Sequence, residues 1–173
     1  MRQQIDEQFA RDFLERLHAA ANAHDADAVA ALCAEDVVWQ DPAALQPLCG
    51  REAVRRFHRD MMFRSLPDVR IELVDGPYLS LDRTGVAVRL RITGTMTGPM
   101  DPPGFAPTGG RVEFETAEFS HFDGRLLAHH AVVLDRLALA RQIGAVPRAG
   151  GLAERVNVWF QHIAARRARR RRG

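Results

Sequence analysis

The chain has 173 residues, 46% hydrophobic and 27% charged, which is the length of one domain and enough apolar material for a core. All 24 basic residues are arginine and none is lysine, which excludes a Schiff-base lysine, pyridoxal-phosphate chemistry and the lysine of a phosphate-binding P-loop. The formal charge of +2 hides an asymmetry: residues 166–173 hold six arginines and no acid, and the rest carries 18 arginines against 22 acids, a net of −4.

The opening MRQQIDEQFARDF is charged and helical in pattern, so no signal peptide is expected. Phe9, Phe13, Leu14 and Leu17 recur at helical spacing and predict an amphipathic helix over 4–23. Asp25 or Asp27 can cap a second, short helix ending near Cys33. Val37-Val38-Trp39 reads as a brief strand stopped by Asp41-Pro42. Gly50 opens a third helix over 51–65, which Pro67 stops. From there the period becomes two. Val69, Ile71 and Leu73 alternate with polar residues, as do Val86, Val88, Leu90 and Ile92, and then Val112 and Phe114. Asp123-Gly124 marks a turn before an apolar strand, Leu126–Leu134. Asp135 caps a short helix, Leu137–Ile143. The segment Gly98–Gly110 holds four glycines and four prolines in 13 residues and must be a loop, either a lid or an irregular connection. A last helix over 151–170 carries Leu152, Val156, Phe160 and Ile163 on one stripe, to be packed on the domain or across a dimer.

The expected fold class is α+β: N-terminal helices packed in a curved antiparallel sheet, with a concave cavity and an extra C-terminal helix. Residues 1–146 form the expected domain and 147–173 a helical extension with a basic tail. That tail reads as a solvated end or as a contact for an anionic surface. The body has no basic stripe with interleaved aromatics, so no specific nucleic-acid partner is expected. The longest apolar runs, such as Ala131–Leu134, fall far short of the ~18 residues that span a bilayer. The two cysteines, Cys33 and Cys49, make no disulfide framework and no metal spacing, which fits a reducing cytoplasm.

Several chemistries fall away. None of Ser65, Ser80 and Ser120 sits in G-x-S-x-G. No G-x-G-x-x-G follows a strand. His129 and His130 are neighbours on a strand and point to opposite faces, so they cannot share a metal. What remains is acid–base chemistry without cofactor or metal, or plain binding.

Strand parity nominates the site. Glu118 shares the inner face with Val112, Phe114 and Thr116. His130 shares it with Leu126, Ala128 and Val132. Folding the hairpin at Asp123-Gly124 sets Glu118 opposite residues 129–132, within reach of His130. A carboxylate and an imidazole in an apolar cavity form either a proton-transfer pair or a mutually satisfied structural pair. Asp41 shares a side with Trp39 and is either a turn residue before Pro42 or a carboxyl with a raised pKa. The candidate catalytic residues are therefore Glu118, His130 and Asp41. Trp39, His58, Phe114, Thr116, Val88, Leu90 and Val132 are the candidate contacts to a hydrophobic small molecule. For His58 a solvent-side or internally satisfied place on its helix is the alternative. Asp68 and Asp135 read as turn and cap residues, Asp101 as an exposed loop residue, and His121 as solvated on the outer face.

The pieces resemble a known family. Asp36-Val37-Val38-Trp39-x-Asp41-Pro42, then Gly50-Arg51-Glu52-Ala53-Val54 and Pro67-Asp68, resemble the first half of SnoaL-like polyketide cyclases of the NTF2-like superfamily. Pro107-Thr108-Gly109 before Val112 resembles its P-T-G-x-x-V element. Phe122-Asp123-Gly124-Arg125-Leu126, Asp135 and Arg141-Gln142-Ile143-Gly144 resemble its closing pattern. The resemblance implies a cone-shaped α+β barrel with a deep pocket. It also implies ring closure by intramolecular aldol chemistry without metal or cofactor, with relatives that open epoxides, isomerise, or only bind. The family's aspartate near the last strand maps to Val132 or Ala131, which cannot carry a proton. Glu118 falls where a polar partner of that acid sits. A homodimer is expected from the exposed sheet face and the Trp159-Phe160 helix.

Overall fold

The computed structural model describes residues 4–101, 104–147 and 150–170, the last three as backbone only. Two prolines of the glycine- and proline-rich loop and the final arginines of the tail lie outside the described residues.

Helix α1, Glu7–Asn22, begins where the Asp6 side chain accepts from the Phe9 backbone N–H at 2.7 Å. Its apolar stripe buries Phe9, Phe13, Leu14, Leu17 and Ala21. Phe9 and Phe13 meet Phe122 edge-on, with ring centroids 5.1 and 4.7 Å apart, which docks the helix on the sheet. Helix α2, Ala26–Ala31, is capped by Asp25, whose carboxylate accepts from Ala28 N–H at 2.9 Å. Asp27 instead pairs with Arg55 at 2.7 Å.

Strand β1, Cys33–Gln40, is longer than its three-residue apolar signal. A two-residue strand β2, Leu48–Cys49, pairs with it. Helix α3 runs over 51–65 and changes pitch inside: Arg51–Arg56 is α-helical, Phe57–Met62 a π-helical turn, and Phe63–Ser65 closes it. The wider turn buries Phe57, His58 and Met61 on one side.

The remaining strands are β3, Arg70–Leu79; β4, Gly85–Thr95; β5, Arg111–Asp123; and β6, Leu126–Leu134. The sheet order is β2-β1-β6-β5-β4-β3. It is antiparallel except where β1 meets β6, a parallel pair with Trp39 beside His130. That pairing was not legible as an antiparallel alternation. Val69 precedes β3 and is buried, whereas Leu73, expected inside, is half exposed on this edge strand.

Helix α4, Arg136–Gln142, is capped by Asp135, which accepts from Leu137 and Ala138 N–H. Asp68 ties the end of α3 to β4 by accepting from Thr95 N–H at 2.6 Å and Thr95 Oγ1 at 2.7 Å. The loop after β4 starts pinned. Ser65 Oγ donates to Pro99 O at 2.7 Å, and a Cβ on Gly98 would stand 1.9 Å from Arg64 O. Only glycine fits there.

Helix α5, Leu152–Arg170, is the expected C-terminal helix. Leu152, Val156, Trp159 and Phe160 are exposed, so its stripe does not pack on the domain. Its described side-chain tie is an ion pair of Glu154 with Arg141 at 3.1 Å. Among the described residues no helix is long and apolar enough to cross a membrane.

Candidate functional site

Two apolar clusters fill the ends of the cone. One joins α1 to Val86, Val88, Leu90 and Phe122; the other gathers Leu66, Val69, Ile92, Met96, Val112 and Ile143. Between them lies a cavity whose void, mouth included, is about 920 Å³, room for a small organic molecule. The wall is mostly aliphatic, with methionines Met61, Met62, Met96 and Met100 among its residues. Its polar side chains are His18, Asp41, His58, Ser65, Thr116 and Glu118.

Parity places Glu118 and His130 as the sequence indicates. Glu118 lies directly opposite Val132, and His130 opposite Ser120, so carboxylate and imidazole are diagonal neighbours. His130 Nε2 stands 3.3 Å from Glu118 Oε2, at ion-pair distance with the ring out of line for a good hydrogen bond. Thr116 Oγ1 donates to the other carboxylate oxygen at 3.1 Å. The other ring nitrogen, His130 Nδ1, is 3.0 Å from Ser120 Oγ. A Ser120 hydroxyl donating there leaves the ring proton on Nε2, facing Glu118. The ring also lies on Trp39, centroids 3.9 Å apart.

The two partners differ in access. The side chain of Glu118 is 12% exposed and lines the cavity, whereas that of His130 is 1% exposed. His130 therefore stands behind Glu118 and is not part of the wall. Burial alone would push the Glu118 carboxyl up. The His130 ring beside it, the Thr116 hydroxyl and His18 outweigh it, so Glu118 sits below the ordinary glutamate range.

Asp41 shows the opposite balance. Its carboxylate accepts from Ala43 N–H at 2.8 Å, which is the Asp-Pro turn geometry. It also lines the cavity, so the turn and cavity readings both hold. Burial pushes its pKa up, and the Glu118 charge adds to the rise. The Ala43 N–H, His130 and the nearby Trp39 indole offset this only in part.

His58 is not on the solvent side; it is satisfied within its own helix and also lines the cavity. It is buried on the wall, edge-on to Trp39 with centroids 5.1 Å apart, and its Nδ1 donates to Val54 O at 2.8 Å. Burial lowers its pKa to about 4, so the ring is neutral near pH 7.

Trp39, Phe114, Thr116, Leu90 and Val132 line the cavity with it. Val88 does not. It shares their face but is absorbed into the apolar cluster under α1. Val132 lines the cavity while Val133 and His129 face out. Asp101 is exposed, as expected. His121 is half buried, because its ring lies over Gly85, where a Cβ would stand 2.7 Å from Nδ1.

His18 escaped the sequence reading. It sits four residues after Leu14 and one after Leu17, on the edge of the buried stripe of α1, and its Nε2 is buried without a partner. Among the described residues no group of three or more His, Cys, Asp or Glu is arranged to hold a metal ion.

A six-stranded curved sheet wrapped on helices around a mostly apolar pocket defines the class: an NTF2-like, ketosteroid-isomerase-like fold. The sequence pattern of the SnoaL-like polyketide cyclase family matches residues 11–143, and the chain belongs to that family. Solved structures agree on the fold. TsrD from Streptomyces laurentii superposes with a TM-score of 0.69 at 23% identity, covering 83% of this chain and 100% of that one. A protein with a ketosteroid isomerase-like fold from Catenulispora acidiphila, in complex with trimethylamine, gives 0.63 at 17% identity, covering 77% and 92%. The epoxide hydrolase/cyclase-like enzyme SalBIII, of pyran ring formation in the polyether salinomycin, gives 0.64 at 20% identity, covering 77% and 95%. No curated protein matches the chain.

Proposed function

We propose that this protein is an acid–base enzyme, without metal or nucleotide cofactor, that closes or rearranges a ring in a hydrophobic, polyketide-like intermediate. The observation that carries the reading is a pair of carboxyls on one cavity wall, Glu118 braced by His130 and Thr116 and Asp41 held at the Asp41-Pro42 turn, in surroundings that lower the first pKa and raise the second. Titratable groups driven apart in this way divide the roles of base and acid between them. Glu118, ionised and braced by His130 and Thr116, takes a proton from carbon next to a carbonyl. Asp41, which holds its proton more readily, gives one to the oxygen that gains charge. The apolar wall folds the substrate and restricts its freedom. The same pair suits the opening of an epoxide, with Asp41 protonating the ring oxygen and Glu118 activating the attacking hydroxyl. His130 acts through Glu118 and is a positioning residue. Residues 1–146 are the catalytic domain in this proposal and 147–173 an appendage. It further places the protein in natural-product biosynthesis in the cytoplasm, as a homodimer paired through exposed apolar residues of the outer sheet face such as Tyr78, Phe119 and Val133.

The test is turnover. Candidate linear and cyclised polyketide intermediates are incubated with the protein and with Glu118→Gln and Asp41→Asn, and products are read by mass spectrometry. Both variants lose at least tenfold. Ligand recovered unmodified from the unaltered protein favours a binding role. Conversion at unaltered rates by both variants rejects the assignment.

A further inference from the structure

The polar groups of the cavity wall are nearly all engaged. Ser65 donates to Pro99 O, Thr116 to Glu118, and His58 Nδ1 to Val54 O. Glu118 meets His130, and Asp41 accepts from Ala43 with the Trp39 indole nearby. His18 stands apart. It comes from α1, on the wall that faces the sheet, and its Nε2 is buried with no protein partner. A buried ring nitrogen without a partner is costly, and a ligand atom can repair it.

We propose that His18 receives an oxygen atom of the ligand, so that the cavity selects an apolar ring system carrying a ketone or similar hydrogen-bond acceptor. This rests on the reading of the cavity as a small-molecule site. The polarity of the match follows from the rest of the wall. Glu118 is ionised and offers only acceptors, and Asp41 and Glu118 together can satisfy ligand hydroxyls. A ligand carbonyl needs a donor; the wall nitrogens buried without a partner are Trp39 Nε1, which lies beside Asp41, and His18 Nε2, which has no such neighbour to turn to. Burial favours the neutral imidazole, which donates from a single nitrogen and carries no charge to be solvated in an apolar hollow. A carbonyl held there sits in the same cavity as both carboxyls, where hydrogen bonding to its oxygen makes the adjacent carbon acid easier to deprotonate.

The experiment compares 1-tetralone, a bicyclic ketone, with tetralin, its analogue without the oxygen. Binding is followed by Trp fluorescence and calorimetry on the full chain. The unaltered protein should bind tetralone at least tenfold tighter than tetralin. His18→Phe should erase that preference, so that the two compounds bind alike, and His18→Gln, which keeps a donor, should restore part of it. If His18→Phe fails to fold, the ¹⁵N resonance of His18 Nε2 in the unaltered protein decides: it shifts with tetralone and not with tetralin. Equal affinities in the unaltered protein, no binding of either compound, a preference that survives His18→Phe, or an unmoved resonance each overturns the inference. Turnover is not read here. A preference for tetralone through His18 without conversion of any polyketide would retain this inference and remove the catalytic reading; loss of turnover in Glu118→Gln without the preference would do the reverse.

Discussion

Glu118 and His130 meet on a diagonal across the β5–β6 hairpin, 3.3 Å apart, while the residue directly opposite Glu118 is Val132. The imidazole therefore steadies the carboxylate from behind, and the space in front is left for a ligand. General acid–base help is typically worth ~10² to 10⁴ in rate. Glu118→Gln should lose at least tenfold in turnover. His130→Ala should also lose at least tenfold, with one further signature. Removing the imidazole takes away what holds the Glu118 carboxyl low, so the acid limb of the kcat/KM profile moves to higher pH. An unmoved limb would mean that the pair is structural only.

The position opposite Glu118 offers a second test. Val132→Asp sets two carboxyls face to face in a mostly apolar wall. They cannot both ionise cheaply, so the single variant should melt lower than the unaltered protein. Combining it with Glu118→Gln should recover part of the loss, read as a coupling in a double-mutant cycle. Additive losses would place the two side chains out of contact.

How much of this was legible follows from where period two holds. Along β5 and β6 the alternation runs unbroken over Glu118–Ser120 and His130–Leu134, and the shift falls only between His121 and Phe122, near the turn. Parity therefore found Glu118 and His130. It could not tell the wall from the layer behind it, which depends on neighbouring strands and on α1, so His130 and Val88 were placed one layer too far in. The π-helical turn of α3 hid Met61 and Met62, because their spacing fits no 3.6 period. His18 was hidden by type: a histidine at the rim of an apolar stripe looks like the polar edge of an amphipathic helix. The two-residue β2 left no pattern, and the exposed stripe of α5 was read by its period, which says nothing about what it meets.

Buried His58 should set part of the acid stability of the fold. Its pKa falls from 6.5 to about 4 on folding, so the unfolded chain binds the extra proton between those values. Stability is present above about pH 6.5 and is lost as pH falls toward 4, by about 3 kcal/mol at ~1.4 kcal/mol per pKa unit. Urea melts across that window should show the slope, and His58→Leu should flatten it. An unchanged slope would mean that His58 is protonated in the fold.

Gly98 closes the loop against the end of α3, and a Cβ there would stand 1.9 Å from Arg64 O. Gly98→Ala should destabilise by about 1–3 kcal/mol, the usual cost of forced overpacking. Gly104→Ala, six residues further along the same loop, meets nothing within 4 Å and only a strained φ of +99°. It should cost less, and a reversed order of thermal midpoints would place the strain elsewhere.

The parallel seam between β1 and β6 has a further consequence. It sets Trp39 against His130, so one side of the cavity joins an early stretch of chain to the last strand. A nascent polypeptide can lay down α1, α3 and most of the sheet and still lack the brace behind Glu118. The cavity is completed only once Leu126–Leu134 is inserted between its two neighbours, and a chain stopped short of that strand would be an unfinished cone with an open seam.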